Sequence, residues 1–309
     1  MLYGALEAGG TKMVLAIGNE NGEILEQHSI PTETPAITMP QIIEYFKNKE
    51  IVAIGIGSFG PVDPDRSSKT YGYITSTPKL AWADYNIAGA LKSALGVPVG
   101  FDTDVNAAVL GEATWGCIRG LASGIYITVG TGIGVGVYLN GALLHGMLHP
   151  EAGHILLSMH PKDPWYSPDI LDSKYASPSS NFGGVCPYHP NCLEGLASGP
   201  SLEKRYQKKA QELKDNPLVW EIEAYYLAQG IVNYILTLSP HKIVLGGGVM
   251  NQEQLFPLLR KQVKELLNGY LKTPQLEDLQ HYIVPSSLGG KQGIMGCIQL
   301  AKLEAALSL

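Results

Sequence analysis

The sequence of 309 residues contains no apolar run that approaches the roughly 20 residues of a membrane-spanning helix. Its first ten residues, MLYGALEAGG, lack the cationic segment that opens a secretory signal peptide. We therefore expect a cytoplasmic protein without a membrane partner.

Clustered positive charge is also scarce. The chain carries 22 Lys and Arg against 28 Asp and Glu, for a formal net charge of −6. Its densest basic stretch, EKRYQKKAQELK at 203–214, is interrupted by acidic residues and is typical of a solvated helix face. Because a nucleic-acid partner requires a clustered cationic surface, none is expected.

Cysteine is also scarce, with four residues in the chain. Lasting disulfides are rare in the cytoplasm, which weakens a disulfide between Cys186 and Cys192. Cys117 and Cys297 stand alone in the sequence, and we interpret them as small buried apolar groups.

A repeated pattern dominates what the sequence does contain. A strand, a glycine turn and a returning strand occupy LYGALEA-GGTK-MVLAIG near the start and recur as SGIYITVG-TG-IGVGVYL from residue 123. Such a repeat predicts an internal duplication. The length suggests two domains, which we place at 1–117 and 118–309, with the helix at 291–309 packing back on the first.

The remaining pattern is regular α/β. Hydrophobic periodicity predicts further strands near 51–57, 97–101, 242–246 and 281–284. The same periodicity predicts helices near 39–48, 84–95, 104–115, 201–213, 218–237, 252–268 and 291–307.

The glycine turns are candidate phosphate-binding loops. Glycine has no Cβ, so several backbone N–H groups can approach one anion. Ordinary hairpin turns are the alternative, but their recurrence at matching places in the two halves favours phosphate binding. The candidate residues are Gly9, Gly10, Thr11, Lys12, Gly130, Thr131, Gly132 and Gly134.

A third glycine turn ends the predicted strand in HKIVLGGGVM at 241–250 and leads into a helical stretch. A strand end of this kind is a common nucleotide-binding location in α/β folds. Two similar stretches do not qualify. GIGSFG at 55–60 is followed by Pro61 and a loop, and GGKQG at 289–293 lacks the spacing of a P-loop.

Asp104 stands where the strand in GFDTDVNAAVLGE, residues 100–112, passes into an alanine-rich helix. An aspartate at this place can be an N-cap, which contributes about 1 kcal/mol. It can equally be a general base that takes a proton from a substrate hydroxyl. The stretch alone leaves both interpretations open.

The motif CPYHPNC brings Cys186, His189 and Cys192 together in seven residues, a set that matches tetrahedral zinc. A closed site needs a fourth ligand, and an unmetallated loop is the alternative. Candidates are His145, His149, His154, His160 and Glu194, of which His154 in HPEAGHILLS is favoured because it precedes an ordered apolar stretch. Four protein ligands predict a structural zinc that orders an irregular excursion over 154–192.

Together these motifs resemble the ROK family of sugar kinases and repressors, within the hexokinase/actin superfamily. The resemblance covers essentially the whole chain. Its Cys-x2-His-x2-Cys form is most similar to the bacterial zinc-containing fructokinases. The motifs are EAGGTK (7–12), DTDVNAAVLGE (102–112), TVGTGIGVG (128–136), EAGH (151–154), CPYHPNCLEGLASGPS (186–201) and VLGGGVM (244–250).

The resemblance implies an α/β fold of two actin-like, ribonuclease H-like ATPase domains around a central cleft. It implies ATP, Mg²⁺ and a structural Zn²⁺ as cofactors, a sugar and ATP as small-molecule partners, and a homodimer. The nucleotide-binding residues it implies are Glu7, Gly9, Gly10, Thr11, Lys12, Gly130, Thr131, Gly132, Ala197, Gly246, Gly247 and Gly248.

The same resemblance implies roles for the remaining motif residues. Asp104 matches the catalytic base. The sugar-contacting positions fall on Thr103, Asp104, Glu151, His154 and Glu194, and the zinc ligands on His154, Cys186, His189 and Cys192.

The sequence departs from the family pattern at three places, and two of these departures bear on which sugar is the substrate. Glu7 stands where an Asp is common, Thr103 replaces an Asn that contacts sugar hydroxyls, and the zinc loop is not the Cys-x-Cys form of the glucokinases. The last two disfavour glucose and leave a fructokinase that forms fructose 6-phosphate.

Several alternatives remain open at this stage. The kinase could act on mannose, glucose or an N-acetylhexosamine. The chain could instead be a sugar-responsive regulator of the family, although the first strand at residue 2 or 3 leaves no room ahead of it for a helix-turn-helix domain. A sugar- and zinc-binding module without turnover is the third alternative.

Overall fold

The computed structural model describes residues 1–166 and 183–308. The chain forms two compact units. Unit 1 comprises Met1–Tyr126, Gly136–Pro150 and Ser286–Leu309, and unit 2 comprises Ile127–Val135 and Glu151–Pro285. Within the described residues, no helix is long and apolar enough to cross a membrane.

Twelve strands and ten helices are assigned in the described parts of the chain. The strands are β1 (Leu2–Ala8), β2 (Lys12–Asn19), β3 (Ile24–Pro31), β4 (Ile51–Ser58), β5 (Tyr73–Ile74), β6 (Tyr85–Asn86), β7 (Val99–Thr103), β8 (Ser123–Val129), β9 (Ile133–Leu139), β10 (Ala142–Leu143), β11 (Ile243–Gly246) and β12 (Ile283–Pro285). The helices are α1 (Pro35–Lys47), α2 (Ile87–Leu95), α3 (Asp104–Thr114), α4 (Leu193–Ala197), α5 (Gly199–Tyr206), α6 (Pro217–Leu238), α7 (Leu255–Leu267), α8 (Pro274–Glu277), α9 (Leu279–Tyr282) and α10 (Gln292–Leu307).

The two five-stranded sheets share one strand order. The first runs β3-β2-β1-β4-β7 and the second runs β10-β9-β8-β11-β12, so corresponding strands occupy corresponding places. In the first sheet β1–β2 and β2–β3 pair antiparallel, whereas β1–β4 and β4–β7 pair parallel. The shared order confirms the predicted duplication of the strand–glycine–strand unit.

The two faces of the first sheet bury different kinds of residue, because side chains alternate along each strand. Large residues such as Leu15 and Ile56 pack on one face against α1 and α2. Small residues such as Ala5 and Ala53 pack on the other face against α3 and α10. The small face lets these two helices approach the sheet and each other closely.

Glycine makes this close approach possible at two positions. A Cβ on Gly296 of α10 would overlap the carbonyl oxygen of Ala107 in α3. A Cβ on Gly55 of β4 would overlap the carbonyl oxygen of Cys297. Backbone therefore lies against backbone where α10 meets α3 and β4, and no side chain fits between them.

We expect Gly296→Ala to destabilise the protein by about 3 kcal/mol, the upper end of the usual cost of overpacking, because backbone atoms cannot move aside as a flexible side chain would. Urea unfolding followed by circular dichroism measures the change. Gly248→Ala is the matched control, since no heavy atom lies within 4 Å of its added Cβ. Equal midpoints for the two variants would contradict the packing argument.

Most predicted element positions agree with the structure, but three predicted helices are shorter by several residues. The helix predicted at 84–95 begins only at Ile87, because Tyr85–Asn86 form the short strand β6. The helix predicted at 201–213 is α5, which ends at Tyr206 because Gln207 adopts a left-handed φ of 54°. The helix predicted at 252–268 begins only at Leu255, after a 3-10 turn at Gly248–Asn251. The division at residues 117 and 118 remains a prediction.

Candidate active site and metal centre

The first turn of α3 carries Asp104 as its first helical residue. Thr103 is the N-cap, and its hydroxyl oxygen accepts a hydrogen bond from the Asn106 N–H at 3.0 Å. Because Thr103 satisfies that N–H, the interpretation of Asp104 as the N-cap is wrong. The Asp104 side chain is partly exposed, and its Oδ1 accepts from the Val105 N–H at 2.8 Å.

Asp102, two residues earlier, makes polar contacts beside Asp104 that the sequence does not predict. Its buried carboxylate accepts hydrogen bonds from the Thr103 N–H at 2.8 Å and from the Asn106 side-chain amide at 2.7 Å. The second carboxylate oxygen lies 2.8 Å from Nε2 of His145. The only sign of this contact in the sequence is that Asp102 belongs to the motif DTDVN, because its partner His145 lies 43 residues further along the chain.

Glu112, near the end of α3, is a second residue that was missed. Its carboxylate is fully buried and accepts hydrogen bonds from the hydroxyls of Ser286 at 2.6 Å and Ser287 at 2.9 Å. The N–H groups of Ser287 and Cys117 also donate to it, both at 3.0 Å. Glu112 therefore fixes α3 to the segment that precedes α10.

The first glycine turn links β1 to β2 in unit 1. The Gly9 N–H donates to the Lys12 carbonyl at 3.1 Å, and the Thr32 hydroxyl donates to the Gly9 carbonyl at 2.7 Å. Thr11 and Lys12 are exposed, and Gly10 is partly buried. The turn thus presents its polar side chains to solvent, as a phosphate-binding loop requires.

Glu7 lies just before this turn, near the start of α10. A Cβ on Gly293 would lie 2.6 Å from its carboxylate, so Glu7 occupies the space that this glycine leaves. Burial raises the pKa of Glu7, and the nearby Lys12 charge lowers it to a smaller extent. A cation beside this carboxylate would favour its ionised form.

The second glycine turn links β8 to β9. The Gly130 N–H donates to the Gly132 carbonyl at 2.9 Å, and Thr131 at its tip is exposed. Glu194 lies directly on this turn. Its Oε2 accepts from the Ile133 N–H at 3.0 Å and would lie 2.6 Å from a Cβ on Gly132.

The third glycine turn packs against the second within unit 2. Gly247 has a φ of 92°, and its Cβ would lie 2.6 Å from the backbone nitrogen of Val129. A Cβ on Gly130 would lie 3.9 Å from the Gly248 nitrogen. Only glycine at 247 combines this left-handed conformation with such close packing.

Gly246 ends β11 directly before this turn, and Ala197 ends α4 close to the second turn. Gly199, two residues after Ala197, donates its N–H to the Gly130 carbonyl at 2.8 Å. Ala197 itself is fully buried. The structure therefore brings the predicted nucleotide-binding segments of unit 2 together, although Ala197 has no exposed side chain there.

The candidate metal centre is formed by His154, Cys186, His189 and Cys192. Their ligand atoms all lie within 4.8 Å of one another. Nδ1 of His154 lies 3.7 Å from Sγ of Cys186 and 3.6 Å from Sγ of Cys192. Nδ1 of His189 lies 3.8 Å from Sγ of Cys186.

These separations fit a tetrahedral zinc ion. Bonds of about 2.3 Å to sulfur and about 2.1 Å to nitrogen would place neighbouring sulfur and nitrogen ligands about 3.6 Å apart. Two thiols and two imidazoles also form one of the usual donor sets of structural zinc. The residues present therefore fit the ion that the sequence predicts.

Local backbone pairing fixes the positions of these ligands. Leu156 and Cys192 form an antiparallel bridge, and Leu157 donates its N–H to the Asn191 carbonyl at 2.9 Å. Sγ of Cys192 caps α4 by accepting from the Gly195 N–H at 3.3 Å. Burial raises the pKa of Cys192 to about 12, so a thiolate there would need a cation nearby.

His154 connects the metal group to the acidic residues predicted to contact sugar. Its Nδ1 faces the two thiols, whereas its Nε2 lies 3.9 Å from Oε2 of Glu151. Burial, followed by the negative charge of Glu194, raises the pKa of Glu151 to about 7. Glu151, His154 and Glu194 thus form one cluster beside the second glycine turn.

The other candidates for the fourth metal ligand are engaged elsewhere. His145 pairs with Asp102, and Nε2 of His149 accepts from the Val62 N–H at 3.1 Å. Nδ1 of His160 accepts from the Lys162 N–H at 3.1 Å. Cys186 and Cys192 form no disulfide. Part of the predicted excursion over 154–192, residues 167–182, lies outside the described residues.

Comparison with known proteins places this site in a family context. Residues 3–304 match the sequence model of the ROK family. A protein of Bacillus subtilis (strain 168) is 48% identical over 301 residues, which cover 97% of this chain and 95% of that one. A fructokinase of Pediococcus pentosaceus is 44% identical over 307 residues, and one of Streptococcus mutans serotype c is 41% identical over 307 residues, each covering 99% of both chains.

Solved structures show the same fold. A ROK hexokinase of Thermus thermophilus superposes with a TM-score of 0.77 and 28% identity over 99% of both chains. A ROK family glucokinase of Streptomyces griseus, in complex with glucose and AMPPNP, gives a TM-score of 0.73 at 23% identity over 98% of this chain and 100% of that one. Because the sequence identity to the Streptomyces griseus protein is only 23%, this similarity is evidence for the fold alone.

Proposed function

Because the chain belongs to the ROK family, we propose that it is an ATP-dependent fructokinase that transfers a phosphoryl group to the 6-hydroxyl of fructose. The observation that carries this proposal is its 41–44% identity, over the full length of both chains, to proteins named fructokinase. The two-unit α/β fold and the glycine turns support the same activity.

Asp104 is the proposed general base. Its carboxylate accepts the proton of the attacking sugar hydroxyl as the new bond to phosphorus forms. Two features support the assignment. Its side chain is partly exposed at the start of α3, and the capping task falls to Thr103 instead.

The glycine turns are the proposed nucleotide-binding loops. Their backbone N–H groups, with the Thr11, Lys12 and Thr131 side chains, would stabilise charge on the phosphate oxygens, where we expect the largest catalytic contribution to lie. Gly246, Gly247, Gly248 and Ala197 are proposed on the adenosine side. Mg²⁺, held through Glu7, would neutralise phosphate charge during transfer.

The proposed sugar-contacting residues are Thr103, Asp104, Glu151, His154 and Glu194. His154, Cys186, His189 and Cys192 would together supply four protein ligands to a zinc ion and leave no open coordination position, so the ion would order the loop and take no part in phosphoryl transfer. Through His154 it would also fix one edge of the sugar-contacting cluster.

A panel of hexoses with ADP detection tests the proposed function. We expect fructose to give the highest kcat/KM among fructose, mannose, glucose and N-acetylhexosamines. A higher kcat/KM for another sugar would replace fructose as the substrate. ADP release that no sugar stimulates would refute kinase activity altogether.

We also propose a homodimer in the cytoplasm, where ATP is available as a substrate. The family resemblance supports the dimer. Light scattering coupled to size-exclusion chromatography tests the dimer, and a mass near 33.2 kDa, that of a single chain, would contradict it.

A further inference from the structure

A polar chain of contacts in unit 1 connects the loop after β10 to the first turn of α3. Nε2 of His145 lies 2.8 Å from Oδ2 of Asp102, whose side chain is only 3% exposed. The other oxygen, Oδ1, accepts from the Asn106 amide at 2.7 Å. His145 therefore meets the first turn of α3 through Asp102, and its Nε2 also lies 3.5 Å from Nδ2 of Asn106 in that turn.

Asn106 is the point where this chain of contacts enters the helix. Its backbone N–H donates to Thr103, its side-chain amide donates to Asp102, and its side-chain oxygen accepts from the Val137 N–H at 3.4 Å. Three bonds to two strands, β7 and β9, hold a residue that is 1% exposed. A shift of Asp102 would thus tilt the first turn of α3 and redirect the Asp104 carboxylate.

His145 is half-buried, with 36% of its side chain exposed, and it lines a cavity of about 750 Å³. The cavity gives solvent protons access to the imidazole. Its hydrogen bond to Asp102 raises the pKa of His145, while burial lowers it to a smaller extent. The titratable and charged groups near His145 or Asp102 are Asp65, Arg66, Tyr71, Asp102, His149 and Glu304, of which Arg66 and Glu304 pair with each other.

We propose that His145 is a positioning residue that acts through Asp102 and Asn106 to hold Asp104 in its reactive orientation. The inference rests on the proposed role of Asp104 as general base. His145 itself touches no reacting atom in this scheme. Its contribution is a charged hydrogen bond that keeps the buried carboxylate fixed.

The sign of the pH dependence follows from the raised pKa. Below about pH 6.5, the ordinary value for histidine, the imidazolium is charged and its bond to Asp102 is at full strength. As pH rises through the raised pKa the charge is lost, although a neutral imidazole can still donate through Nε2. The positioning contribution is therefore largest at low pH and falls with rising pH.

Two variants test the inference in the full-length chain. His145→Ala removes the donor, and we expect kcat to fall by roughly 10- to 100-fold with KM values for ATP and fructose changed less than about threefold. His145→Gln keeps a neutral donor. The wild-type to Gln ratio of kcat should exceed about threefold below pH 6.5 and approach one above the raised pKa.

His281→Ala is the matched control. His281 pairs with Asp278 at 2.7 Å, but the pair is exposed, at 83% and 57%, and kcat should not change. Full wild-type kcat in His145→Ala, while Asp104→Asn is inactive, would refute the inference alone. The inference would also be refuted if the loss of kcat in His145→Ala only matched a loss of folded protein and the wild-type to His145→Gln ratio of kcat did not change with pH. A wild-type chain without turnover would refute the proposed function and this inference together.

Discussion

Asp104→Asn is expected to lower kcat for fructose phosphorylation by roughly 100- to 10,000-fold, the usual contribution of a general base. The amide is isosteric with the carboxylate but does not accept a proton at neutral pH. The helix should remain intact, because the cap is provided by Thr103 and the Asn106 N–H. A coupled assay for ADP measures kcat, and calorimetric titration measures ATP affinity.

Binding of ATP by Asp104→Asn should stay within about threefold of wild type, since the proposed phosphate contacts come from the glycine turns. Asp215→Asn is the control, because Asp215 is exposed and lies outside every proposed contact. A near wild-type kcat in Asp104→Asn would show that another group accepts the proton. An equal loss of kcat in Asp215→Asn would show that the loss comes from the protein preparation and not from the Asp104 carboxylate.

Cys192→Ser is expected to remove zinc from the protein and to lower its thermal midpoint by several degrees. The Cys192 side chain is completely buried, and the substitution replaces a strong thiolate ligand by a weak hydroxyl ligand. Elemental analysis and differential scanning calorimetry give the two readouts. KM for fructose should also rise, because His154 loses its metal anchor.

Cys117→Ser is the matched control, since Cys117 belongs to no group of metal-ligating residues in the described chain. It should keep about one zinc per chain. The assignment fails if Cys192→Ser retains the wild-type zinc content. It also fails if wild-type protein that has never met a chelator carries less than about half an ion per chain.

Local patterns were sufficient to predict the elements and the glycine turns. A β-rich run, a glycine pair and a returning β-rich run predict β1 and β2, because each feature acts within a few residues. The ligand spacing in CPYHPNC gave three of the four metal-group residues. His154 could be chosen as the fourth because it precedes an ordered apolar stretch, and the structure shows that Leu156 of this stretch forms a bridge with Cys192.

The contacts that fix α3, the helix that carries Asp104, could not be predicted from local sequence patterns. Asp102 meets His145 across 43 residues, and Glu112 meets Ser286 and Ser287 across 174 and 175 residues. Nothing in the local sequence states which distant polar group will face a buried carboxylate. The N-cap of α3 could not be assigned from the sequence either. Thr103 and Asp104 are both acceptable N-cap residues, and only the backbone conformation decides between them.

The place of α10 has a consequence for how the chain folds during synthesis. Unit 1 buries α10 against α3, β1 and β4, yet α10 emerges from the ribosome only after the whole of Glu151–Pro285. Until then only α3 can cover the small-residue face of the first sheet, and the apolar surface that α10 will bury stays open to wrong partners. We therefore expect unit 2 to complete its core first and unit 1 to close last, as α10 docks.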